Sequence, residues 1–211
     1  DRGKTFQQLN ATATLGGFDA IWDIEHSNSD SNTIFVGTNT AGMFRSTNKG
    51  ASWSAVYTAG NKQVNDILCL PSGRVLISQQ SNNVYYSDSN GKAGTFVAVT
   101  FPSKPVAGTY RLIKMANSRK YPNVIYALFE GWDYESGPAA FYKSSDGGKT
   151  WNLKTTPTSI NTGQQAYCVS IGVSAVDSNK IYAGCQYAAS SINGGTSWSS
   201  LKSSHADNHS F

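Results

Sequence analysis

The strongest constraint on this chain is a short phrase that it repeats. Ser144-Ser145-Asp146-Gly147-Gly148-Lys149-Thr150-Trp151 reads S-x-D-x-G-x-T-W. Looser copies run from Ser46 through Asn48, Gly50 and Ser52 to Trp53, and from Ser191 through Asn193, Gly195 and Ser197 to Trp198. A fourth, Ser87 to Phe96, carries two extra residues in its turn, and a fifth opens the chain at Asp1–Phe6 without its leading serine. The closing aromatics stand at 6, 53, 96, 151 and 198, spaced by 43 to 55 residues. Self-similarity at that period means one supersecondary unit used several times.

The phrase has a physical logic. An Asp or Asn can accept backbone N–H groups inside a tight turn, and the glycine tolerates positive φ there. The Trp or Phe offers a large apolar surface to a neighbouring sheet, and the small hydroxyls can tie two strands together. Asp146 is therefore expected to be structural.

Between the phrases the same four strands recur. Inner strands are expected at 20–25, 65–70, 110–115 and 167–173, and second strands at 33–37, 74–78, 124–129 and 180–184. Third strands, at 42–46, 83–87, 140–144 and 188–191, lead into the phrase. Fourth strands leave it at 53–57, 96–100, 151–155 and 198–202. Short strands rich in Val, Ile, Tyr and Phe, split by Gly/Asn/Asp/Ser turns, predict an all-β chain. Four per unit make a β-propeller of antiparallel blades. The blades are expected at 10–57, 58–100, 101–155 and 156–202 within one propeller segment, with partial blades at both ends. A ring must close to cover every blade, so a partial propeller is expected. The rest of a longer chain or a partner would complete it.

Composition narrows the partners. Charged residues are only 14% of the chain, against the roughly 25% usual in soluble domains. Polar Ser, Thr, Asn and Gly take their place, as suits a secreted or cell-surface protein. The net charge of +4 is scattered without a Lys/Arg block, which argues against nucleic acid. Apolar runs are far shorter than a membrane span, which argues against insertion. Cys69, Cys168 and Cys185 leave at least one thiol unpaired. A symmetric hairpin about the turn at 174–180 would set Cys168 opposite Cys185 and Ile171 opposite Tyr182. Two buried free thiols are the reading preferred here, with a cross-strand disulfide as the alternative.

The five phrases resemble the Asp-box, or BNR-repeat, propellers. That group includes sialidases, family 74 glycoside hydrolases, sortilin-like receptors and bacterial surface proteins. Gly42-Met43-Phe44-Arg45-Ser46 and Phe141-Tyr142-Lys143-Ser144 look most like the bacterial secreted and sortilin-like branch. The Arg-Ile-Pro phrase of sialidases is absent, as is the glycine-rich opening of family 74. The resemblance implies a fold, while its members include both enzymes and pure binders.

Loops opposite the repeated turns are where propeller function is expected. One set presents Asp19, Asp66, Arg111, Gln164 and Gln165. The other presents Asn39, Gln79, Gln80, Asn82 and an insertion at 130–137. That insertion holds Glu130, Trp132, Asp133, Tyr134 and Glu135, two aromatics among carboxylates, the mixture that stacks a sugar ring and acts on a glycosidic bond. Trp132, Asp133, Tyr134, Glu135, Asp19 and Arg111 are the candidate ligand contacts. On a strand, His205, Asp207 and His209 would share one face and could hold a metal ion such as zinc. Asp23 at a strand start reads as a turn cap. These features favour a propeller that binds a protein or glycan through its loop face. The alternatives are a glycoside hydrolase acting on a polysaccharide and a structural component of a surface or secretion assembly.

Overall fold

The computed structural model describes residues 3–13, 15–60, 63–131, 137–160 and 169–201. Among the described residues sixteen strands form four sheets, each a four-stranded antiparallel meander. Blade 1 is β1 (Ile21–His26), β2 (Ile34–Thr38), β3 (Met43–Ser46) and β4 (Ser54–Tyr57). Blade 2 is β5 (Val64–Cys69), β6 (Val75–Gln79), β7 (Val84–Ser87) and β8 (Val97–Ala98). Blade 3 is β9 (Tyr110–Asn117), β10 (Ile125–Gly131), β11 (Pro138–Ser144) and β12 (Asn152–Lys154). Blade 4 is β13 (Ser170–Val173), β14 (Ile181–Gly184), β15 (Ala188–Ser191) and β16 (Ser199–Leu201). The expected order of elements holds throughout. The fourth strands are shorter than expected, and β10 runs into the segment read as an insertion, with β11 starting directly after it.

Strands β5, β6 and β10 are buried throughout because both of their faces are covered. Along β10, Ile125, Ala127 and Phe129 join the core shared with blade 2, while Tyr126 and Leu128 join the core shared with blade 4. The period-2 alternation of a strand thus sorts one apolar run into two interfaces. A third cluster, including Phe35, Met43, Val64, Ile67, Val75 and Ile77, joins blades 1 and 2. The hydrophobic core lies between sheets, and each blade is stable only against its neighbours.

The repeated turns are built as the residues require. Asp146 Oδ1 accepts the N–H groups of Lys149 (3.0 Å) and Thr150 (2.9 Å), and Asp146 Oδ2 accepts the Thr150 hydroxyl at 2.6 Å. Ser144 Oγ accepts the Gly148 N–H at 2.8 Å. Desolvation is the largest single influence and raises the Asp146 carboxyl, but the bonds from Thr150, Ser144 and Lys149 together outweigh it and hold the group down at about 2. Asn48 and Asn193 repeat the arrangement with Ser46, Ser52, Ser191 and Ser197, while Gly50 and Gly195 donate to the leading serines. The copy at Ser87 has Ser89 in place of the acceptor, and there the Ser87 and Thr95 hydroxyls bond each other at 2.6 Å.

Glycine is required at 148 twice over. Its φ is +84°, and an added Cβ would lie 2.4 Å from Leu76 Cδ2 of the preceding blade. Trp151, 4% exposed, packs against Phe101 at 5.0 Å between ring centroids, inside the core of blades 2 and 3. Arg74 completes that junction. Its Nε donates to Asp88 at 2.6 Å, and its Nη1 donates to the carbonyls of Asp146 (3.2 Å) and Gly147 (2.8 Å) in the next blade's turn. Trp53 and Trp151 donate to the carbonyls of Gly50 and Gly148 in their own turns, but the Trp198 indole reaches Thr155 O at 2.7 Å instead.

Two cysteine readings change. Ile171 faces Ala183, and Gly172 faces Tyr182, one residue off the symmetric register, because the strands close through the Ser174 N–H and Lys180 O. Cys69 is a free buried thiol as expected, whereas Cys185 is disulfide-bonded. Cys168 lies outside the described residues.

Candidate functional site

The inner strands β1, β5, β9 and β13 stand side by side. The register sets Asp23, Asp66, Lys114 and Ser170 at equivalent points, facing Gly37, Ser78, Leu128 and Gly184. In β1 and β5 a bulge falls just before the aspartate. A bulge re-aims the side chain that follows it, and here each aspartate turns to the next blade. The Ile67 N–H donates to Asp23 Oδ2 at 2.7 Å, and the Met115 N–H donates to Asp66 Oδ2 at 2.7 Å. Lys114 donates to Asp66 Oδ1 at 3.1 Å and to Asn65 O at 3.2 Å. Asp23 is thus a blade-to-blade clamp rather than a turn cap, and Asp66 lies on a strand rather than in a loop.

Burial dominates the electrostatics here. Partial burial raises Asp23 and Glu25 above their ordinary values, and fuller burial carries Asp66 to about 6 despite the pull of the Lys114 ammonium. Asp66 in turn holds the Lys114 ammonium above its ordinary value against a burial cost. At neutral pH the two form an ion pair.

Glu130 is the outlier. It lies at a bulge on β10 opposite Pro138, which has no N–H to offer. It is 0% exposed, and among the described residues neither carboxyl oxygen has a hydrogen-bond partner. Burial pushes it up to about 8, although the nearby Arg111 guanidinium favours the ionised form. The Leu112 N–H also lowers it, without a hydrogen bond of ordinary geometry. Arg111 Nε is likewise buried without a partner among the described residues. Buried polar groups are normally satisfied, so Glu130 and Arg111 stand out as a candidate functional pair. At neutral pH Glu130 is a protonated acid near a guanidinium. That pair can donate hydrogen bonds and offset negative charge.

The expected contacts are scattered. Arg111, at the start of β9, is brought towards Glu130. Asp19 is exposed in the turn before β1. Trp132, Asp133, Tyr134, Glu135, Gln164, Gln165, His205, Asp207 and His209 lie outside the described residues. Among the described residues no group of three or more His, Cys, Asp or Glu could hold a metal ion. Gln79 is buried and serves the fold: its Nε2 donates to Ala59 O at 2.7 Å, and its Oε1 accepts from Asn82 at 2.8 Å. Asn39 accepts from the Trp22 indole at 2.9 Å. Sequence reasoning missed Lys114 and took Glu130 for a loop residue. The shared Asp-Ile phrase, Asp23-Ile24 and Asp66-Ile67, was the available signal for the inter-blade clamp.

No family model matches the chain, and no curated protein does. Solved structures do. An ancestral GH74 enzyme superposes with a TM-score of 0.67 at 18% identity, over 89% of this chain and 26% of that one. The GH74 xyloglucanase from Xanthomonas campestris gives 0.63 at 17%, over 88% and 30%. YCF48 bound to D1 peptide gives 0.59 at 17%, over 97% and 59%. At such identities the likeness speaks for the fold: this chain is a β-propeller of four-stranded antiparallel blades. It spans less than two thirds of the length of each of these proteins. Among the described residues no helix is long and apolar enough to cross a membrane.

Proposed function

We propose that this chain is a segment of a secreted or cell-surface propeller of the Asp-box type, sortilin-like in its closest phrases, that binds a protein or glycan through its loop face. Its blades are 10–57, 58–100, 101–155 and 156–202, and further blades, from a longer chain or a partner, complete the ring. The observation that carries the binding reading is the state of Asp23 and Asp66. Both are tied to the next blade's backbone, and Asp66 is also neutralised by Lys114. Glycoside hydrolysis needs a pair of carboxylates free to act as acid and as base or nucleophile, and these two are already engaged. The contacts assigned to the ligand are Trp132, Asp133, Tyr134, Glu135, Asp19 and Arg111, with His205, Asp207 and His209 assigned to a metal ion. A likeness to a propeller solved with a peptide fits this reading.

One observation favours a second reading. Glu130 is held protonated near neutrality, the state a general acid needs, and GH74 enzymes share the fold. Both readings meet one experiment: polysaccharide and peptide arrays probed with the chain, and reducing-sugar release measured on any polysaccharide bound. Binding without release, weakened by Arg111→Ala, supports the proposal. Sugar release abolished by Glu130→Gln would replace it with the hydrolase.

A further inference from the structure

Repetition shows which part of blade 3 the fold does not need. In blades 1, 2 and 3 the serine that leads each turn pairs with Ile34, Val75 or Ile125. Four residues further on, Thr38, Gln79 and Phe129 face Ile21, Val64 and Ile113 of the inner strand. There β2 and β6 end, whereas β10 runs on through Glu130 and Gly131. The extension is irregular on both sides. Arg111 and Leu112 both stand opposite Glu130, because Phe129 faces Ile113 and Gly131 faces Tyr110. On β11, Ala139 is left over between the partners of Phe129 and Glu130. Bulges of this kind re-aim side chains and are common beside working sites. Here they set a fully buried, unpartnered carboxyl beside the half-buried Arg111.

A second cation stands at the same place on the loop face. The Ser81 N–H donates to Arg111 O at 2.9 Å, and Lys104 Nζ donates to the carbonyl of the adjoining Asn82 at 3.1 Å. Among the described residues the ion pairs are Arg74–Asp88 and Lys114–Asp66, so neither Arg111 nor Lys104 is matched by a carboxylate there. The turn between β6 and β7 that joins them has spent its backbone donors: Gln80 on Gln63 O, Ser81 on Arg111 O and Asn82 on Gln79 O. An extended peptide that binds by main-chain pairing therefore finds no free edge. Ser103 and Thr109, beside the two cations in sequence, put hydroxyls at the surface instead.

We propose that Arg111 and Lys104 form a site on the loop face for the carboxylates of an acidic polysaccharide, and that Glu130 controls Arg111 from inside the blade. The proposal rests on the reading above that this face binds a ligand, and it adds the ligand's charge and a positioning residue. While protonated, Glu130 leaves the guanidinium without a counter-charge, and its planar fork can take a ligand carboxylate. Once ionised, Glu130 competes for the same guanidinium. The charged groups that face it are Arg111 and Lys114 on β9, while β11 sets Pro138 against it. Lys114 is already held by Asp66. Burial moves the ionisation of Glu130 up to about 8, so at pH 9 roughly a tenth of the molecules keep the proton.

The test titrates the chain by calorimetry with an oligogalacturonate, a neutral cello-oligosaccharide and an oligo-glutamate peptide, at pH 6.5 and 9 and constant ionic strength. At pH 6.5 the oligogalacturonate should bind most tightly, and Arg111→Ala should weaken it at least ~10-fold. Arg111→Lys, which keeps the charge and loses the fork, carries the same test if the alanine variant melts early. Between pH 6.5 and 9 the affinity of the unmodified chain should fall about 10-fold, in step with the protonated fraction. Glu130→Gln should remove most of that fall, and the remainder belongs to Lys104, whose ammonium burial pulls down. Equal binding of the neutral oligosaccharide, or no effect of either Arg111 variant, would overturn the proposal and leave loop-face binding standing. Preference for the oligo-glutamate would overturn it in favour of an acidic peptide. An undiminished pH fall in Glu130→Gln would overturn the control by Glu130. Silence with all three probes would overturn the proposal, and blank arrays besides would end the binding reading too.

Discussion

Strands β1 and β5 hold the same place in adjacent blades and carry related phrases, Ile-Trp-Asp-Ile-Glu-His and Val-Asn-Asp-Ile-Leu-Cys. No residue of β1 is buried, whereas all six of β5 are. The difference does not come from local propensity, since both form well-registered strands with a bulge before the aspartate. It comes from what stands in front: blade 1 covers β5, and no described sheet covers β1. Polarity follows the same contrast, with Glu25 and His26 at the end of β1 where β5 has Leu68 and Cys69. In this architecture burial belongs to the junction between repeats, and one pattern yields a core strand or an exposed one according to its neighbour.

The largest effect that can break this comparison is at the turn aromatics. Trp151→Ala removes a buried ring and should cost about 3–5 kcal/mol in urea melts. Trp53→Ala, in the equivalent turn of the uncovered blade, should cost less than half of that. Equal losses would mean that the junction is not what holds these rings. Next is the inner-strand pair itself: Ile67→Ala should cost about 2–4 kcal/mol, and Ile24→Ala roughly 0.5 kcal/mol or less.

A smaller effect concerns the clamps. Asp66→Ala leaves the Met115 N–H unpaired and the Lys114 ammonium without its carboxylate, a loss of roughly 2–3 kcal/mol. Asp23→Ala, which releases one N–H and no ammonium, should cost about half that.

A further effect is a pH slope. Unfolded, Glu130 ionises near its ordinary 4.5, while folded it stays protonated to about 8. The unfolded state sheds the proton first, so stability falls as pH rises between those values. Asp66 adds a fall of the same sign between 3.8 and about 6. Glu130→Gln should therefore leave the slope below pH 6 partly in place and flatten it from 6 to 8, shifting Tm at pH 8 upward by a few degrees. Parallel curves for the two proteins would remove Glu130 from the set of groups that titrate on unfolding.

How much of this was legible in the sequence depended on distance along the chain. The turns around Asp146, Asn48 and Asn193 are closed by residues within four positions of one another, so the repeated phrase sufficed to place them and the strands on either side. The clamps were not legible, because Asp66 finds Met115 across a separation of 49 residues, and the phrase-to-phrase spacing varies enough to blur equivalence. Glu130 was taken for a loop residue because Gly131 follows it and a lone carboxyl is rarely placed in a buried strand. Ile171 missed its partner by one residue, since composition alone does not fix how a seven-residue turn closes. Of the candidate contacts, Asp19 lies in the expected loop and Arg111 on β9 rather than in one, and of the two only Arg111 stands near a second unusual group.

The most direct measurement is residue-resolved hydrogen exchange on the 211-residue chain, comparing the Ile67 amide, bonded to Asp23, with the Ile24 amide at the equivalent position. The expected result is that Ile67 exchanges at least ~100-fold more slowly, with protection approaching that of global unfolding. Equal protection of the two would contradict the claim that a strand of this repeat is buried only by the blade in front of it.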